Sequence, residues 1–197
     1  MISAIIFDFG GVLAEGRFFP VLAEKLQDKF GVAKDLIQKR LYEHENNLMR
    51  GRETLREFWS KVCAGTEIPY ADFEKAFDMK YALNEAVLGL AEGLKKKHRL
   101  VMHTDNFAKF SSAIRQDPRL SRLFDDMFFS NEIQMVKDEE AAFRHVLDNI
   151  RKEPEECVFI DDKEKNLLAP GRLGIHTVLF RDPAGLKADL AKLGVVT

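Results

Sequence analysis

Asp8 follows the apolar run Ala4-Ile5-Ile6-Phe7 and leads into Phe9-Gly10-Gly11-Val12-Leu13. A carboxylate at such a strand end can attack phosphorus or ligate a metal, because ligands of open parallel sheets bind outside the carboxyl ends of the strands. The same residues also fit an ordinary turn. Asp161-Asp162 follows Val158-Phe159-Ile160, with Asn166 close behind. Adjacent carboxylates repel one another, so they persist either solvated, capping the next helix, or neutralised by a hard cation such as Mg²⁺. Thr104-Asp105-Asn106 comes just after Leu100-Val101-Met102. A hydroxyl and backbone N–H groups there can hold a phosphate or cap a helix. Asp105 would repel a phosphate if it pointed inward. Lys137 precedes Asp138-Glu139-Glu140, whose acids suit a helix N-terminus. Taken alone, Lys137 reads as a surface lysine.

These residues need elements to hold them. The three runs just before Asp8, Thr104 and Asp161, together with Met127-Phe128-Phe129 and Thr177-Val178-Leu179-Phe180, are short, apolar and bounded by turn-formers or charges. Such runs mark strands buried on both faces of a parallel sheet. Amphipathic stretches at 107–117, 138–151, 163–172 and 184–194 alternate with them. The pattern predicts an α/β fold, a Rossmann-like doubly wound parallel sheet. The first crossover is too long: about ninety residues separate the first two strands, against roughly 30 for a whole βαβ unit. The excess reads as helices at 20–30 and 33–48, a third from the capping box Thr54-Leu-Arg-Glu57, and a fourth opening at Pro69. The division is therefore a core of 1–15 and 83–197 with an all-helical insert at 16–82, hinged near Gly10-Gly11 and Tyr81 to Glu85.

Composition narrows the function. Of 197 residues, 46% are hydrophobic and 31% charged, a globular balance. The 30 basic and 32 acidic residues nearly cancel, so no bulk attraction to nucleic acid or membrane is expected. No run is long enough to span a bilayer, and the N-terminus lacks the basic start of a secretory signal. The expectation is a cytoplasmic protein. Cys63 and Cys157 are far apart and need not pair. The five histidines show no metal spacing, and only His103 is near a strand end. The sequence does not set the oligomeric state.

Taken in order, Phe7-Asp-Phe-Gly-Gly-Val-Leu13, His103-Thr-Asp-Asn106, Val136-Lys-Asp138 and Phe159-Ile-Asp-Asp-Lys-Glu-Lys-Asn166 resemble the haloacid dehalogenase superfamily of phosphohydrolases. The insert resembles the helical cap of the branch that contains the phosphatase domain of epoxide hydrolase. The phrase Gly51-Arg-Glu-Thr-Leu-Arg-Glu-Phe-Trp59 looks like that branch too. The resemblance implies a Mg²⁺-dependent phosphatase for a small phosphorylated metabolite. Asp8 would be the nucleophile. The metal would lie between Asp8, the Gly10 carbonyl and the Asp161-Asp162 pair, with Asp162 the favoured direct ligand. Thr104, with Asp105 and Asn106 beside it, would bind phosphate, and Lys137 would neutralise nucleophile and phosphate.

Three positions depart from the family pattern. Gly10 stands where a general-acid Asp is usual, Asp105 where Asn is usual, and Asp138 where Pro is usual. A missing acid typically costs ~10²–10⁴ in rate. Another acid, His103 or a cap residue, would have to take that role for esters with poor leaving groups. The alternative readings are a degenerate relative that binds a phosphorylated ligand or a protein, and a dehalogenase. The second is disfavoured because carboxylates without a metal repel an anionic substrate.

Overall fold

The computed structural model describes residues 1–16, 18–77 and 80–196. In chain order the elements are β1 (Ala4–Phe7), β2 (Ala14–Glu15), α1 (Phe18–Phe30), α2 (Lys34–Met49), α3 (Leu55–Val62), α4 (Tyr70–Ala76) and β3 (Ala82–Leu83). There follow α5 (Glu85–Leu94), β4 (Arg99–Thr104), α6 (Ala108–Gln116), α7 (Pro118–Leu123), β5 (Asp126–Phe129), α8 (Ser130–Ile133) and α9 (Glu140–Ile150). The chain ends with β6 (Cys157–Asp161), α10 (Leu168–Arg172), β7 (His176–Leu179) and α11 (Pro183–Lys192).

The predicted parallel sheet is present, in the order β5-β4-β1-β6-β7. β1 pairs in parallel with both β4 and β6, Phe7 lying opposite Met102 and Ile160. The chain moves from β1 outward through β4 and β5, then returns to β6 on the other side. The carboxyl end of β1 is therefore the topological switch point where such sheets bind ligands. Alternate residues of β1 serve opposite faces. Ile5 and Phe7 join a core with Val87, Leu88, Leu186 and Leu190, whereas Ala4 and Ile6 pack with Phe143, Val146 and Ile150. Burial on both faces is why this strand reads as an unbroken apolar run.

Helices α1–α4 enclose a further core of Phe19, Leu22, Leu26, Ile37, Leu41, Phe58 and Phe73, to which Phe107 of the sheet domain adds its ring. The Thr54 capping box forms: Thr54 Oγ1 accepts from the Glu57 N–H at 3.2 Å and Glu57 Oε2 from the Thr54 N–H at 2.7 Å. Pro69 stands one residue before the fourth helix, as its N-cap, not inside its first turn. The helix expected at 163–172 is split into a 3₁₀ turn, Glu164–Leu167, and α10. Pro170 has no N–H to give the carbonyl four residues back, so one α-helical ladder cannot run through. β2 and β3 pair antiparallel, Ala14 opposite Leu83, between the sheet and the four helices. Both cysteines are buried and unpaired. Among the described residues no helix is long and apolar enough to cross a membrane.

Candidate active site

Asp8, Thr104 and Asp161 are brought together because β1, β4 and β6 are adjacent and in register. The Asp8 N–H donates to the Ile160 carbonyl at 2.9 Å, continuing the ladder one residue past the strand. Lys137 arrives on the loop before α9, and its ammonium is buried between two carboxylates. Nζ lies 2.6 Å from Asp161 Oδ2 and 2.8 Å from Asp8 Oδ1. The sequence offered Lys137 as a surface lysine when read alone; the fold encloses it, with 2% exposure.

The two members of the acidic pair have different surroundings. Asp161 Oδ1 accepts from the Lys163 N–H at 2.8 Å, and Asn166 Nδ2 is 3.0 Å from both carboxylate oxygens. With Lys137 added, four donor contacts meet the roughly four lone-pair positions of that carboxylate. Asp162 Oδ1, by contrast, is buried with no hydrogen-bond partner, and so is Asp8 Oδ1, whose ion pair with Lys137 lacks hydrogen-bond alignment. Buried oxygens without donors cost stability. Asp8, Asp161 and Asp162 each offer an oxygen, all within 4.8 Å of one another. An all-oxygen, acidic set that includes the unpartnered Asp162 Oδ1 fits a hard divalent cation.

The charges reinforce this asymmetry. Burial pushes the Asp8 carboxyl up to about 7, against the pull of Lys137, and Asp161 adds to the rise. Burial also opposes the charge on Asp161, yet Lys137, Asn166 and the Lys163 N–H together hold its carboxyl below the ordinary range. Lys137 is opposed by burial as well, but Asp8, Asp161 and Asp105 outweigh that and hold its ammonium firmly protonated.

Gly11 sets the approach of the two loops. Its φ is +85°, in the left-handed region, and a Cβ there would lie 2.6 Å from the Asp162 carboxylate. Gly11→Ala is thus expected to strain the backbone and push Asp162 outward, costing about 1–3 kcal/mol. It should also weaken any stabilisation by Mg²⁺, read as a smaller rise in melting temperature on adding the ion. An unchanged rise would show that Asp162 does not need this close approach. Gly10 differs: its φ is not left-handed, and nothing lies within 4 Å of where a Cβ would stand.

Other expected site residues are accounted for by their neighbours. Thr104 is buried at the end of β4, beside the end of β1 that carries Asp8. The Asp105 carboxylate accepts from the Lys137 N–H at 3.0 Å, so it straps the lysine loop. Asn106 Oδ1 accepts from the Phe107 N–H at 3.0 Å. His103 is fully buried, edge-on to Phe143 at 5.0 Å and close to Phe159. Burial lowers its pKa to about 3, with Lys137 adding to the fall. Neutral and shut off from solvent, it does not fit the proton donor contemplated from sequence.

One residue near the site was missed. Glu45 of α2 is half-buried, and the charges acting on it are those of Lys163, Lys165 and Asp105, all on loops leaving the sheet. The signal was available in the helix period, since Glu45 continues the buried stripe Ile37-Leu41 toward Leu48.

The model of the haloacid dehalogenase-like hydrolases matches residues 2–174. The chain belongs to this family. The bifunctional epoxide hydrolase 2 of Rattus norvegicus is 27% identical over 210 residues, covering 95% of this chain and 38% of that protein. The chain thus spans well under half the length of this relative. A predicted HAD-like family hydrolase from Porphyromonas gingivalis superposes with a TM-score of 0.78 at 23% identity, covering 100% of both chains. A HAD family enzyme from Bacteroides thetaiotaomicron, crystallised with magnesium and inorganic phosphate, gives 0.73 at 19% identity over 92% of this chain and 95% of its own. The L-2-haloacid dehalogenase of Xanthobacter autotrophicus gives 0.69 at 15% identity, with 100% and 85% covered. At these identities the structures share the haloacid dehalogenase fold and carry no statement about substrate.

Proposed function

We propose that this haloacid dehalogenase-like hydrolase is a Mg²⁺-dependent phosphatase of a small phosphorylated metabolite, working through an aspartyl phosphate on Asp8. In this reading 1–15 and 83–197 form the catalytic core and 16–82 the cap. The observation that carries it is the cluster of Asp8, Asp161 and Asp162 oxygens, in which Asp162 Oδ1 is buried without a partner beside a carboxylate, Asp161, whose acceptor positions are already engaged. Asp8 and Asp162, with the Gly10 carbonyl, would hold the metal, and Asp161 would orient Lys137 and the loop after β6. The cation supplies charge neutralisation, so that an anionic ester can approach an anionic nucleophile.

Asp8 attacks phosphorus, the bond to the ester oxygen breaks, and water then releases phosphate from Asp8. Lys137 keeps its proton throughout and offsets charge on Asp8 and on the phosphoryl oxygens. The Thr104 hydroxyl and nearby backbone N–H groups orient those oxygens. The helical cap excludes water and contacts the rest of the substrate. The test is phosphate release from a panel of phosphorylated metabolites with Mg²⁺ or with EDTA, together with chemical trapping of an acyl phosphate on Asp8. Release that EDTA abolishes, with a trapped Asp8 adduct, supports the reading. Phosphate bound tightly with no turnover of any ester would favour the degenerate binding protein, which Gly10 alone suggests. Metal-independent halide release would favour dehalogenation, the reading that the Xanthobacter likeness keeps in view.

A further inference from the structure

We infer that Glu45 is the acid–base residue of this site: it protonates the leaving oxygen and later takes a proton from the attacking water. The inference rests on the phosphatase reading and deepens it.

Gly10 leaves open space where the usual acid would project, and His103 is fully buried among aromatic rings. Any proton donor has to come from elsewhere, and the cap presents one. In α2, Ile37, Leu41 and Leu48 form the buried face. Glu45, four residues after Leu41, interrupts that stripe with a carboxylate. Among the described residues nothing forms an ion pair or hydrogen bond with it; it feels only the fields of Lys163, Lys165 and Asp105. Lys163 donates its N–H to Asp161, and Asp105 accepts from Lys137, so both neighbours of Glu45 belong to the loops that build the Asp8 site. A half-buried carboxylate without a partner is a cost to the fold, and such groups concentrate at functional sites.

The position is also fixed. One turn beyond Glu45, the Ser130 hydroxyl donates to the Met49 carbonyl at 2.6 Å. Arg50 pairs with Glu139, and Gly51, at φ +63°, admits the Asn131 carbonyl where a side chain would collide. These contacts clamp the end of α2 to α8 and to the residue before α9, and fixed placement is what proton transfer requires. Burial raises the Glu45 carboxyl above the ordinary range, Lys163 and Lys165 oppose it, and Asp105 adds to it. A carboxyl shifted this way holds its proton more readily near neutral pH.

The steps balance. As Asp8 attacks phosphorus, the electron pair of the breaking P–O bond stays on the ester oxygen, which takes the Glu45 proton and leaves as an alcohol. Glu45, now a carboxylate, accepts a proton from the water that attacks the acyl phosphate. The P–O bond to Asp8 breaks, and Asp8 and protonated Glu45 are restored.

The experiment measures kcat/KM for esters of graded leaving-group pKa, from 4-nitrophenyl phosphate to ethyl phosphate, in the wild type, E45Q, E45L, G10D and G10D/E45Q. E45Q and E45L should lose ~10²–10⁴-fold on ethyl phosphate and less than ~10-fold on 4-nitrophenyl phosphate, which leaves without a proton. Adding G10D to E45Q should recover at least ~10-fold on ethyl phosphate, because it restores a carboxylic acid in open space. E45L returns an apolar residue to the stripe, so it should fold with an equal or higher melting temperature and still show the selective loss. Equal losses across the ester series, or no recovery with G10D, overturn the role of Glu45 while leaving the phosphatase reading intact. No phosphate release from any ester by the wild type removes that reading, and the role of Glu45 with it.

Discussion

Lys137→Met is expected to destabilise the protein by about 3–5 kcal/mol at pH 8, because it leaves carboxylates buried beside a lost cation. The Lys137 ammonium lies 2.8 Å from Asp8 and 2.6 Å from Asp161, with 3% of its side chain exposed. The deficit should shrink as the pH falls. Without Lys137 both carboxyls sit above their unfolded pKa, so the folded state takes up protons first and regains stability on acidification. Asp161→Asn in the Lys137→Met background should recover part of the loss, since one uncompensated charge goes with it. Denaturant melts of the two single variants and the double variant at pH 5 and pH 8 make the comparison. Additive effects, or a loss that does not depend on pH, would show that the lysine is not neutralising these two groups.

Asp8→Asn should abolish turnover, by roughly 10⁴-fold or more, as expected for loss of a nucleophile. Its effect on stability should run the other way. Burial holds the Asp8 carboxyl at about 7 against 3.8 for the free group. Because the folded pKa is the higher one, its contribution is fully present below about pH 4 and is lost as the pH rises toward 7. In metal-free buffer the wild type should therefore lose stability relative to Asp8→Asn between pH 5 and pH 8. Mg²⁺ should restore the wild type at pH 8 and do less for the variant. Thermal melts with EDTA and with Mg²⁺ read both effects. Parallel pH profiles of wild type and variant would place the ionisation of Asp8 elsewhere and falsify this account of its burial.

The parts of the molecule that were legible in sequence are those whose pattern is local. Ala4-Ile5-Ile6-Phe7 and Val158-Phe159-Ile160 are apolar without alternation because helices cover both faces of the sheet, and they lie where expected. The positions of Asp8 and Asp161 were legible because each comes directly after such a run, at the carboxyl ends of β1 and β6. The parts that were not legible depend on distant packing. Asp105 reads as a phosphate neighbour in sequence, yet its carboxylate is claimed by the N–H of Lys137, 32 residues on. The close approach of Gly11 to Asp162 joins two loops from opposite ends of the chain. Glu45 breaks the stripe of α2, but the docking of that helix end on α8 through Ser130 and Met49 cannot be read from local pattern. The β2–β3 ribbon is two residues on each side, too short to leave a period.

The central place of β1 has a consequence for the order in which the chain is made. Ala4 pairs with Arg99 on one side and with Cys157 on the other, so the first strand of this sheet to be made must wait for both its neighbours. At roughly 5–20 residues per second that wait lasts several seconds. During it an apolar segment, fully buried at the end, has no sheet to enter. The four helices that follow carry their own core and close over shorter sequence separations, which is the faster kind of folding. Nascent chains halted before β4 should therefore hold folded helices beside an unsheltered Ala4–Phe7, a natural ligand for a chaperone that grips short apolar segments.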